Sequence, residues 1–222
     1  MREHYREELE DINSCLVEMA NSVGSAMSTA TTALLDADVA LADRVIAGDE
    51  HIDAVRESIE QRCFALLARQ QPVATDLRTV TAAMRIVADL ERMGDLAVHV
   101  AKVARMRFPD PAVPQEVRPL FLDAGHIAES LVSKTATVIA KLDVEAAAQL
   151  EAEDDLMDQV HRQLFTELLA DSWPHGMEQA IDITLLGRYY ERFADHAVSV
   201  ARRVVYLVTG ERAQVPTPTV AT

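Results

Sequence analysis

One phrase of this chain occurs twice. Glu91-Arg92-Met93-Gly94-Asp95 returns as Glu191-Arg192-Phe193-Ala194-Asp195, and each copy is followed by the same pattern, Ala97, Val98, Val100, Ala101 and Ala197, Val198, Val200, Ala201. A second marker lies upstream. Residues 38–55 and 143–160 share Asp38/Asp143, Val39/Val144, Ala42/Ala147, Ala47/Ala152, Asp49/Asp154, Asp53/Asp158 and Val55/Val160, all at an offset of 105. The offset falls to 100 at the acidic phrase because the first half carries five more residues around Pro72. An offset that shifts only at a turn is the mark of a tandem duplication. A chain of 222 residues built this way must fold one unit twice.

That unit is helical. Apolar residues recur every three or four positions along 5–35 (Leu9, Ile12, Leu16, Met19, Val23, Met27, Ala30, Leu34), and no segment sustains the alternation of a strand. Aromatics are only 5% of the sequence, so the core is built from small aliphatic side chains that suit closely packed helices. The periodicity predicts a first helix over 5–35. Asp38 then caps a short helix over 39–47, and Gly48-Asp49 breaks it and starts another to about Arg69. Pro72 marks a turn, and Thr75 or Asp76 caps a long helix to about Arg107. Residues 108–119, with four prolines, divide the halves. The second half repeats the plan: a helix over 116–142, a short piece capped by Asp143, a helix from 154 to about Trp173, and a last helix over 177–209 stopped by Gly210. The expected fold is all-α, two tandem three-helix bundles with six main helices. The first bundle is placed at 1–108, a Pro-rich connector at 109–119, the second bundle at 120–210 and a disordered tail at 211–222.

Charge narrows the function classes. The formal net charge of −15 argues against binding nucleic acid through its phosphates, or an anionic membrane through charge. It suits a chain that binds cations or basic protein surfaces. The two cysteines, Cys15 and Cys63, fall in apolar periodic stretches outside any CxxC and read as free thiols. The N-terminus lacks the apolar run of a signal peptide, and no stretch approaches a membrane span. A cytoplasmic location is expected, with any membrane met only through a partner.

The repeated acids carry the chemistry. Residues four apart share a helix face, so Glu91/Asp95 and Glu191/Asp195 form like-charged pairs, as do Asp49/Asp53 and Asp154/Asp158. Each half thus holds two acidic pairs on two helices. On a wet surface such pairs only solubilise. If they converge, something positive must neutralise them: an arginine such as Arg92 or Arg192, bound protons, or a metal ion. Oxygen ligands favour hard or borderline cations such as magnesium, manganese or iron. A salt-bridged polar face is the alternative reading.

Nothing else in the sequence points to catalysis. There is no GxSxG, P-loop, dinucleotide fingerprint or HExxH, and no Glu-x-x-His of the kind found in di-iron bundles. The seven histidines do not recur between halves; His196, beside Asp195, has Leu96 as its counterpart. Gly94, matched by Ala194, implies close approach of another helix beside the acidic pair. The reading is of a non-catalytic protein. A carboxylate-bound metalloenzyme of bundle type and a metal-free helical adaptor remain as alternatives.

These residues resemble a known family. A duplicated helical unit with Glu-Arg-x-Gly-Asp in its last long helix is similar to the PhoU phosphate-signalling regulators. The match rests on residues 74–104, through Asp76-Leu77-Arg78, Leu90-Glu91-Arg92, Gly94-Asp95 and Ala97, and on the second copy at 185–211, where Ala194 replaces the glycine. The resemblance implies a six-helix protein, commonly a homodimer, whose acidic motifs can bind iron, zinc, magnesium or manganese. The motifs map onto Asp49, Asp53, Glu91 and Asp95, and onto Asp154, Asp158, Glu191 and Asp195. It implies a regulator of phosphate homeostasis that represses the phosphate-starvation response and modulates uptake. The implied partners are the ATPase of the phosphate ABC transporter and a phosphate-sensing histidine kinase.

Overall fold

Six amphipathic segments of this length can bury their apolar faces only against one another, and they do so as helices. The computed structural model describes residues 2–211, with side chains from Tyr5 onward. Its elements are α1 (Arg2–Asp36), α2 (Val39–Gln70), α3 (Thr75–Arg107), α4 (Arg118–Lys141), α5 (Val144–Leu168) and α6 (Met177–Thr209). The described residues contain no strand, and no helix is long and apolar enough to cross a membrane. The expected tail at 211–222 lies outside the described residues except for Glu211.

The repeat is visible in the caps. Asp38 accepts a hydrogen bond from the Leu41 amide at 3.0 Å, and Asp143 accepts one from the Ala146 amide at 3.0 Å. The same side chain starts α2 and α5 at equivalent positions. Three sequence expectations need correction. The short helices at 39–47 and after Asp143 do not exist as separate elements, because α2 and α5 run through unbroken. Gly48 sits on the outer face with no atom within 4 Å of where a Cβ would stand, while Val45, Ile52 and Ile59 keep the inner face apolar across it. A glycine costs a helix about 1 kcal/mol, less than that buried stripe returns. The start of α3 has no side-chain cap: Ala74 precedes it with φ 49°, and Thr75 is already helical. Finally, α5 ends at Leu168, short of the expected Trp173.

Helices α1, α2 and α3 pack together, as do α4, α5 and α6. The two bundles join through α1 against α4 and α3 against α6, whereas α2 touches only α1 and α3, and α5 only α4 and α6. Both joining pairs run antiparallel. Gly24 faces Val132 and Thr31 faces Gly125; Asp89 meets Ser199, and Arg107 meets Asp182. A Cβ on Gly24 would stand 2.6 Å from Val132 Cγ1, and one on Gly125 2.7 Å from Thr31 Cγ2. In each contact a glycine of one half admits a β-branched side chain of the other. Thr31 also donates to the Met27 carbonyl (2.8 Å), so the buried Tyr190 hydroxyl, 2.7 Å away, donates to Thr31 Oγ1.

Polar ties close the junction. Asp89, buried on α3, accepts from His196 Nδ1 (3.1 Å), Ser199 Oγ (3.1 Å) and Arg203 Nε (2.5 Å) on α6. Burial works to raise its pKa, but the hydrogen bonds from His196 and Arg203 outweigh it and hold the carboxyl below the usual range. At the other end Arg107 donates to Asp182 (2.5 Å) and Glu178 (2.6 Å). Both cysteines are free; Cys63 is buried, and burial pushes its thiol up to about 11.

Candidate functional site

The eight acids fall into two groups, one between α2 and α3 and one between α5 and α6. In the first, Gly94 of α3 lies against Ile52 of α2. A Cβ there would be 3.2 Å from Ile52 Cδ1 and 3.7 Å from Asp49 Oδ1. The glycine therefore brings the two helices together beside Asp49, as its place next to the acidic pair implied. Burial raises the Asp49 pKa, and the charges of Asp95 and Asp53 raise it further. Glu91 is raised first by burial and then by Asp95, with Asp53 adding a smaller push and Arg92 and Arg56 opposing. Carboxylates from both helices thus share one field.

The second group repeats this. Asp154 is pushed up to about 6, first by burial, then by the charges of Asp195, Asp158 and Asp155. Asp195 is raised by burial and by Glu191, with Arg188 opposing. Two helices in each half thus bring like charges into mutual repulsion.

The side chains do not close around a single point. Among the described residues no three carboxylate, imidazole or thiol groups gather as ligands of one ion. Basic neighbours hold several of the acids. Arg92 lies 3.0 Å from Asp95 and 3.6 Å from Glu91, Arg56 lies 3.8 Å from Asp53, and Arg188 pairs with Glu191.

His161 is a member the sequence reading missed. Its Nδ1 is 3.4 Å from Glu191 Oε2, and Gly187 makes room for its ring, 3.2 Å from where a Cβ would stand. Aligned at the offset of 105, His161 is the counterpart of Arg56, so the repeat itself carried the signal. Arg56 Nε and His161 Nε2 are both buried without a hydrogen-bond partner. One repeat position thus carries an unsatisfied polar nitrogen in each half, on the helix that faces the glutamate.

The donor chemistry fits a cation. Hard oxygens on two helices, with raised pKa values and an unsatisfied imidazole nitrogen in the second group, are what a divalent ion would relieve. To hold one, Glu91, Asp95 and Glu191 would exchange their guanidinium partners for it.

Comparison with known proteins follows the same two halves. The family model described as "PhoU domain" matches residues 16–104 and again 121–204. The chain is 49% identical over 210 residues to the phosphate-specific transport system accessory protein PhoU homolog 2 of Mycobacterium tuberculosis, covering 95% of this chain and 99% of that one. It is 48% identical to PhoU homolog 1 of Mycobacterium leprae, covering 95% of each. The crystal structure of PhoU from Pseudomonas aeruginosa superposes with a TM-score of 0.85 at 32% identity, over 93% of this chain and 100% of that one. With both repeats matched and nearly the full length of its relatives covered, the chain belongs to the PhoU family.

Proposed function

We propose that this protein is a non-catalytic regulator of phosphate transport. It would hold the phosphate-starvation response off when phosphate is plentiful, by contacting the ATPase of the phosphate transporter and a sensor histidine kinase in the cytoplasm. The observation that carries the reading is similarity over nearly the entire chain to proteins named as accessory proteins of the phosphate-specific transport system. The acidic groups supply a physical handle. Asp49, Asp53, Glu91 and Asp95, and Asp154, Asp158, Glu191 and Asp195, would each hold iron, zinc, magnesium or manganese. A bound cation would cancel the repulsion within each group and stiffen α2 against α3 and α5 against α6. Homodimerisation belongs to the same proposal. A metal-free adaptor is the second reading, favoured by the arginines that already sit on Glu91, Asp95 and Glu191.

The experiment is a deletion in the native host, scored by expression of phosphate-scavenging genes in high and low phosphate. Deletion should leave those genes on in high phosphate, and a plasmid copy should switch them off. Normal repression in the deletion strain, with any second family member also removed, would defeat the proposal.

A further inference from the structure

Because α3 and α6 cross antiparallel near residues 94 and 194, the duplicated arginines Arg92 and Arg192 come to the same place. They line one open cleft between the two bundles, of about 250 Å³, together with Arg188, His99, His196 and Asp95. Three guanidiniums and two imidazoles thus face one concavity in a chain of net charge −15. Arg92 and Arg188 each reach a carboxylate on their own helix, whereas Arg192 is exposed and has no carboxylate partner among the described residues. The imidazoles are fixed in place. His196 Nδ1 is tied to Asp89, and His99 stacks on Tyr189 with ring centroids 5.1 Å apart. Converging cations repel as converging carboxylates do, and an oxyanion relieves them. Guanidinium forks match the paired oxygens of a phosphate, with bonds stronger than those to neutral acceptors.

We propose that this cleft binds a free phosphate-class oxyanion. Arg192 and Arg188 are its main contacts, Arg92 and the two histidines surround them, and the hydroxyl of hydrogen phosphate donates a hydrogen bond to Asp95. Sulfate carries no such proton at neutral pH, so the Asp95 carboxylate discriminates against it. The site borders the first acidic group and shares Asp95 with it, and binding does not require a metal there.

The test is calorimetric titration of the full chain, stripped of metal with chelator, with orthophosphate, pyrophosphate and sulfate. Orthophosphate or pyrophosphate should bind saturably at about millimolar concentration or tighter. Arg192→Gln and Arg188→Gln should each weaken it at least tenfold, and sulfate should bind at least tenfold more weakly. Arg69→Gln, at the far end of α2, should change nothing. Arg192 has no carboxylate partner to lose among the described residues, so its variant should fold, which an unchanged melting temperature checks. No saturable phosphate binding, equal binding of sulfate, or unchanged affinity in both cleft variants would overturn the proposal. Asp53→Ala with Glu91→Ala should retain the binding, which separates this site from the metal reading; loss of binding there would count against it.

Discussion

Gly24→Ala tests how the two halves are joined. The added methyl would stand 2.6 Å from Val132 Cγ1, against the ~3.5–4.0 Å at which carbon atoms attract. Val132 cannot easily yield: it is β-branched, and only 5% of it is exposed. Relief must come from moving α1 away from α4, which disturbs the neighbouring contact of Gly125 with Thr31 and the Thr31–Tyr190 hydrogen bond. Overpacking of this kind costs roughly 1–3 kcal/mol, and replacing a helical glycine by alanine returns about 1 kcal/mol. The net expectation is a loss of about 1 kcal/mol, or roughly 2–4 °C in Tm for a chain of this size. Gly48→Ala is the control. It makes the same helix-propensity gain in open space and should stabilise by about 1 kcal/mol. Urea unfolding followed by circular dichroism reads both. Adding Val132→Ala to Gly24→Ala should recover part of the loss, as a positive coupling in the double-mutant cycle. If Gly24→Ala stabilises as much as Gly48→Ala, the close crossing of α1 and α4 is wrong.

Two further outcomes follow from the charges. Asp89→Ala strands Arg203 and His196 at the α3–α6 junction and should cost about 3 kcal/mol in urea unfolding, whereas Glu211→Ala, an exposed acid, should cost almost nothing. Asp154 has a folded pKa near 6, above its ordinary value, so the folded state binds the extra proton between about pH 4 and 6. Stability of the metal-free protein should therefore rise as pH falls from 7 toward 5, and Asp154→Asn should flatten that slope. A wild-type slope of the opposite sign, after correction for the other carboxyls by the Asn variant, would refute the buried repulsion.

The duplication was legible because each half keeps the same aspartate cap and acidic phrase, and the six long helices followed from periodicity. The expected break at Gly48 was a local signal overridden by packing: glycine weakens a helix, but Val45, Ile52 and Ile59 are buried on both sides of it and α2 runs through unbroken. Asp49 and Asp53 lie on α2 and Glu91 and Asp95 on α3, two helices that pack together. What the sequence could not convey was the antiparallel crossing of α3 and α6. Without it, Asp89 reads as an ordinary acid on a helix, and nothing shows that Arg92 and Arg192 meet. The sequence reading dismissed the histidines because none recurs as histidine, yet His161 occupies the position of Arg56 beside the same glutamate. Equivalence of position, rather than of residue type, was the usable signal.

The central claim is that the paired acids of α2/α3 and α5/α6 are cation sites, and metal content tests it most directly. Protein purified without chelator should carry metal, less in Asp53→Ala/Glu91→Ala and least when Asp154→Ala/Glu191→Ala is added. Restoring the metal to stripped wild-type protein should raise its Tm, since a ligand bound only by the folded state stabilises it. Wild-type protein that carries no metal, and whose Tm is unmoved by iron, zinc, magnesium or manganese, would contradict the claim and leave the arginine pairs as the resting partners of these acids.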